Sequence, residues 1–242
     1  MNNKTPIDGE LLRAAYPGIK GSSISLDDRF ARNPKFPNYS LVKDFLIVLD
    51  GQRKSSVRGL ITAKSLEAGS QGAPVSWRNP DEWMDERLVG DELDIAKHIW
   101  KGSMKTVNPA NIYGSYLLIS RYNLLGLRNG IFERTVRTEL FLEDFSNVVC
   151  QVDFQEGIFQ ILLWASNEEG LTNDTLHSNW HKFCEEFTNM RSGKSIRSSL
   201  YQRVRNCRER SLLNSGRYTT SSTKLGREYI NNWNAILEKQ YT

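Results

Sequence analysis

The sequence predicts an α+β protein: an antiparallel β-meander body over about 113–164, then a C-terminal helical region of about three helices. Three observations predict it. Apolar and polar residues alternate at period two in 132–142 and 148–154. The apolar period changes to 3.6 beyond about residue 172. Strands therefore cluster ahead of helices, which argues against alternating parallel βαβ units. Three segments follow: an irregular N-terminal 1–40, an α+β core over 41–190, and a basic helical region, 191–242, packing on that core.

"DGELLRAA" (8–15) suits a short helix, stopped by Tyr16-Pro17-Gly18, and Pro34 and Pro37 then favour extended backbone. "FLIVLD" (45–50) reads as a buried strand ending at an Asp50-Gly51 turn. Its partner, 56–69, runs into a helical turn, and 69–76 is a loop. Asn79 is a cap, Pro80 suits the first helical position, and Asp81 and Glu82 favour the positive helix end. A helix over 80–88 follows, and a second over 91–100 carries Leu93, Ala96 and Trp100 on one face.

The meander begins with "YLLISRYNLL" (116–125). In 132–142, Phe132, Val136, Leu140 and Leu142 oppose Glu133, Arg137 and Glu139. In 148–154, Val148, Cys150, Val152 and Phe154 alternate with Gln151 and Asp153. Gln155-Glu156-Gly157 turns the chain into "IFQILLW" (158–164). Leu176, Trp180, Phe183, Phe187 and Met190 then step by 4, 3, 4 and 3, an amphipathic helix with caps among Thr172 to Asp174. Ile196, Leu200, Val204 and Cys207 make a narrower stripe. Residues 214–222 read as a loop, and Leu225, Tyr229, Trp233 and Ile236–Leu237 make a last helix.

Charge is distributed unevenly. Residues 191–227 hold ten basic side chains and one acid, Glu209, a balance of +9 that leaves −5 for the rest of a chain of net charge +4. Arg191, Lys194, Arg197, Arg203, Arg205, Arg208, Arg210 and Arg217, with Tyr201 among them, are the candidate contacts to a nucleic acid or anionic surface. Guanidinium is a planar donor fork that matches phosphate oxygens. On a helix, Arg203 and Arg210 are expected to flank one side of the apolar stripe and Arg197 and Arg208 the other. Their stems then cover the core edge while the charges stay in water. Tyrosines 201, 218 and 229 are available to stack on unpaired bases. The competing reading is a solvated helix whose arginines pair with acids of the body.

"RSGKS" (191–195) ends like a phosphate-binding loop, but Thr188 stands where the first glycine belongs and a helix precedes it, so a nucleotide site is rejected. His177, His181 and Cys184 lie at i, i+4 and i+7, a face on which metal ligands would align; no fourth ligand and no HExxH glutamate accompanies them, so no metal is assigned. The acids of 81–86 and 90–94, with Lys97 or Lys101, are the candidates for a metal-dependent nuclease or hydrolase, although acids at helix starts are favoured by the helix dipole anyway. Tyr39-Ser40-Leu41-Val42 and Tyr122-Asn123-Leu124-Leu125 fit short recruitment patterns, with Tyr39 the better placed for exposure.

The start "MNNKTPIDGE" has no apolar signal region, Asn2 excludes myristoylation, and no apolar run approaches the roughly 20 residues of a membrane span. Cys150, Cys184 and Cys207 are an odd, scattered set that suits a reducing compartment. The expected location is intracellular, cytoplasm or nucleus, or a virion.

The function expected is non-enzymatic: a matrix-like or nucleocapsid-associated, viral type of structural protein. It would bridge nucleoprotein or RNA and an anionic membrane surface, self-associate and use no cofactor. The alternatives are a single-stranded nucleic-acid binder of the movement or silencing-suppressor type, and the metal-dependent hydrolase.

Overall fold

In a computed structural model, residues 35–69, 76–166, 170–188 and 190–231 are described. About 65% of them are helical and the strands are short, in two small sheets, so the β-meander body does not exist. The predicted helix over 8–15 and most of the irregular N-terminal segment lie outside the described residues. The chain divides into two compact units: Pro37–Asp144, and a second that takes in Phe36 and continues from Phe145. No described helix is long and apolar enough to cross a membrane.

The first unit holds α1 (Tyr39–Val48), α2 (Lys54–Gly69), α3 (Pro80–Arg87), α4 (Gly90–Gly102), α5 (Ile112–Arg121) and α6 (Val136–Leu142), with the hairpin β1 (Gly126–Arg128) and β2 (Ile131–Glu133). Residues 45–48 of the expected strand "FLIVLD" are the second half of α1, and Leu49-Asp50 turn out of it; Val42, Phe45, Leu46 and Leu49 are fully buried. A short apolar run buried on most sides has no visible period, so helix and strand look alike in it. The expected strand at 56–69 is helical throughout. At α3 the sequence reading holds: the Asn79 side chain accepts from the Asp81 backbone and Pro80 opens the helix.

Residues 116–121 of the supposed first meander strand (116–125) are the C-terminal part of α5, which ends at Arg121. The supposed second, 132–142, is split: Phe132 belongs to β2, and Thr135 starts α6 with a reciprocal capping box to Thr138. The spacing Phe132, Val136, Leu140 fits a helix as well as a strand; Val136 is 78% exposed, while Phe141 carries the burial, its ring 5.0 Å from that of Tyr39. The hairpin that does form turns at Asn129-Gly130, both in the left-handed region, which suits a tight two-residue turn.

The second unit holds α7 (Asn147–Gln155), α8 (Ile158–Trp164), β3 (Leu171–Thr172), α9 (Asn173–Phe187), α10 (Gly193–Glu209), β4 (Leu213–Ser215), β5 (Thr219–Ser222) and α11, helical over 224–231. The last two expected strands are α7 and α8. Ser146 caps α7 through the Val149 backbone, and Val148, Val149, Cys150, Val152, Asp153 and Phe154 are all buried. A helix enclosed on nearly every side shows an apolar run whose polar members fall by chance at alternate places. Gly157, in the left-handed region, separates α7 from α8. A Cβ there would lie 3.0 Å from the Trp180 ring, so the glycine lets α9 pack against the turn.

Helix α9 begins at Thr172, which caps Thr175 as its sequence suggests. Its Trp180 is fully buried, stacks on Phe183 and donates from Nε1 to Ser199 Oγ at 2.9 Å, joining α9 to α10. The expected loop 214–222 holds the end of β4 and all of β5; with β3 they make an antiparallel sheet of order β3-β5-β4.

Candidate polyanion-binding surface

Helix α10 carries most of the candidate residues, and its two faces are chemically opposite. Inward lie Ile196, Ser199, Leu200, Arg203, Asn206 and Cys207. Outward lie Lys194, Arg197, Tyr201, Arg205 and Arg208, all exposed. At 100° per residue these five fall within roughly 80° of arc and run about 21 Å along the axis.

Two arginines are not on the surface. The expectation that Arg203 and Arg210 keep their charges in water does not hold. Arg203 has no exposed surface: its Nε donates to the Glu156 carbonyl at 2.7 Å, Nη1 to the Ser199 carbonyl at 3.0 Å, and Nη2 to Glu156 Oε2 at 2.5 Å. Its guanidinium also lies 4.7 Å from the Phe36 ring centre and 5.4 Å from that of Trp180. Arg210 reaches both oxygens of Asp153, at 2.9 and 2.8 Å. Tyr229, on α11, donates to Asp153 Oδ2 at 2.5 Å and stacks on Phe159. Burial, and then the Asp153 charge, push the Tyr229 hydroxyl well above its ordinary range.

The physical reason is charge neutralisation inside an apolar setting. Asp153 and Glu156 stand three residues apart at the end of α7, both buried, and a buried acid without a cationic partner costs several kcal/mol. Arg203 and Arg210, seven residues apart and so on one helical face, supply those partners. The two ion pairs hold α10 against α7 and thereby set which face looks outward. Reading α7 as a strand hid this. The available signal was two acids embedded between apolar residues in 148–162.

Elsewhere in the basic segment, Arg191 donates to the Thr188 and Met190 carbonyls and Arg227 to that of Ser222, each with its residue still exposed. Lys224 sits 3.8 Å from Glu228, and Arg217 lies over its neighbour Tyr218 at the β4–β5 turn. Among the described residues, Lys194, Arg197, Arg205, Arg208 and Arg217 have no carboxylate partner. Gly193 to Ser195 form the first turn of α10, and a Cβ at Gly193 would meet nothing within 4 Å, so no phosphate-loop geometry requires the glycine.

The other candidates divide. His177 and His181 rings lie 6.5 Å apart, His181 Nδ1 is 3.5 Å from Glu185, and Cys184 is fully buried. Burial pushes the Cys184 thiol up to about 11, which opposes the thiolate that a metal needs. Among the described residues no three His, Cys, Asp or Glu side chains are placed to hold a metal ion. Of the acids in 81–94, Asp81 accepts from Lys105 and Trp100, which hold its carboxyl below its ordinary range, and Asp85 pairs with Lys97. Of the two tyrosines in short recruitment patterns, Tyr122 is buried, in keeping with the core packing favoured for it, and Tyr39 is buried as well, which corrects the expectation that it is exposed. No family model, curated protein or solved structure matches the chain.

Proposed function

We propose that this chain is a non-enzymatic interaction protein that binds polyanions through the outer face of α10, as a structural component of a nucleoprotein assembly. One observation carries the reading: four cations line a single solvent-exposed helical face without a carboxylate partner among the described residues. Charges left unneutralised by their own fold raise the local concentration of a phosphate-bearing partner and release its counterions on contact. The matrix-like role, with the same face meeting an anionic membrane, is a further form of this reading. There the helix would be held mainly by charge, because its aliphatic residues Ile196 and Leu200 point into the protein.

The test is a salt titration of binding to a single-stranded oligonucleotide and to heparin. Replacing Arg197, Arg205 and Arg208 with Gln should weaken both interactions. For the oligonucleotide the slope of log affinity against log salt should fall by about 2. Unchanged affinity and slope would refute the assignment.

A further inference from the structure

We infer that the partner of this face is a single-stranded nucleic acid, and that Tyr201 is the platform on which one of its unpaired bases stacks; the inference rests on the polyanion reading above. Tyr201 occupies the centre of the cationic line. Arg197 and Arg205 lie four residues to either side, and Lys194 and Arg208 seven to either side. Steps of four and seven return to nearly the same helical face, so the ring is bracketed by charge along the axis in both directions.

The ring is also open. Tyr201 is 69% exposed, and among the described residues no ring or guanidinium covers it and its hydroxyl has no hydrogen-bond partner. Tyr218, equally exposed, differs in having the Arg217 guanidinium 5.2 Å from its ring centre, and Tyr229 is buried against Phe159. The α10 face therefore combines forks for backbone phosphates with one uncovered π-surface, the pairing by which strands are held without sequence readout.

The other polyanions fit less well. A helix that lies in a membrane interface sinks an apolar face into the lipid, whereas Ile196, Leu200 and Cys207 of α10 are inside the protein. A duplex offers phosphates, but its bases are already stacked on each other and leave Tyr201 without a partner. Stacking tolerates every base, so no strong base preference is expected.

The experiment measures affinity by fluorescence anisotropy, with the full chain, for oligothymidylate, for an abasic strand of equal length and charge, and for the corresponding duplex. Phosphatidylserine vesicles are measured by co-sedimentation. Tyr201→Ala should weaken oligothymidylate binding by roughly 5- to 100-fold, the range for one stacked base, and leave the abasic strand unchanged. Tyr201→Phe, which keeps the ring, should retain wild-type affinity. An equal effect of Tyr201→Ala on both strands, no effect on either, or tighter binding of duplex or vesicles than of oligothymidylate overturns the inference while the polyanion reading stands. If Arg197→Gln with Arg205→Gln and Arg208→Gln changes none of these affinities, both fall.

Discussion

Arg203 and Glu156 form an ion pair from which water is excluded: neither side chain is more than 3% exposed, and the Arg203 Nη2 donates to Glu156 Oε2 at 2.5 Å. The pair joins the middle of α10 to the end of α7, beside Trp180. Its partners are worth little in isolation, because each charge pays to leave water, but removing one leaves the other stranded. Glu156→Ala is therefore expected to destabilise the protein by about 3–5 kcal/mol in urea unfolding followed by circular dichroism; a loss below about 1 kcal/mol would contradict the burial described. Replacing both members, Arg203→Met with Glu156→Leu, should recover most of that loss.

The outward arginines should behave in the opposite way. Arg197, Arg205 and Arg208 are exposed and have no carboxylate partner among the described residues, so their replacement by Gln, separately or together, is expected to shift unfolding by no more than about 0.5 kcal/mol each. Arg210→Gln, by contrast, deprives Asp153 of its bidentate partner and should destabilise measurably. A basic segment in which all these substitutions cost the same would mean that the two faces of α10 are not distinct.

Three buried thiols predict an alkaline weakness. Burial pushes Cys150 and Cys184 up to about 11 and Cys207 up to about 12, from an ordinary 9.0. Tyr229 is raised as well, above its ordinary 10.0. The folded state thus binds more protons than the unfolded one at high pH, so the stability these groups contribute is complete below pH 9.0 and is lost as pH rises through 9 to 12. Urea midpoints measured from pH 7 to 11 should be level at first and then decline; a rise would have the wrong sign. The same burial keeps the thiols from an aromatic disulfide reagent near neutral pH, with all three reacting after denaturation.

Gly226 lies where α11 packs directly against the backbone of the turn after α10. A Cβ there would run into the Leu212 backbone oxygen, which is not the flexible end of a side chain. Gly226→Ala should push α11 away and loosen Tyr229 from Asp153, at a cost of about 1–3 kcal/mol or more. Limited trypsin digestion should then cut faster at Lys224 and Arg227, and an unchanged digestion rate would count against the docking.

What could be read ahead of the structure was local. The Asn79-Pro80 helix start and the Thr172 cap were legible because a cap is satisfied within a few residues of itself. The amphipathic face of α9 was legible because one side of that helix stays in water. The segments 148–154 and 158–164 were misread for the complementary reason: buried on nearly all sides, they lost the polar face that reports a helical period; in 45–50 the outward residue, Ile47, is itself apolar and hides that period equally well. Asn129-Gly130 was a legible hairpin signal that the strand reading of 132–142 obscured.

The sequence by itself determined that 191–227 is strongly cationic and helical in large part, and that its arginines outnumber any local acids. It could not assign those arginines to roles, because the carboxylates that neutralise Arg203 and Arg210 lie 47 and 57 residues away along the chain. Only the tertiary structure decided that two guanidinium groups belong to the core and that four cations and a tyrosine remain outside. The physical reason is that a buried acid must find its counter-charge in space, and neighbours in space are set by packing and not by order along the chain.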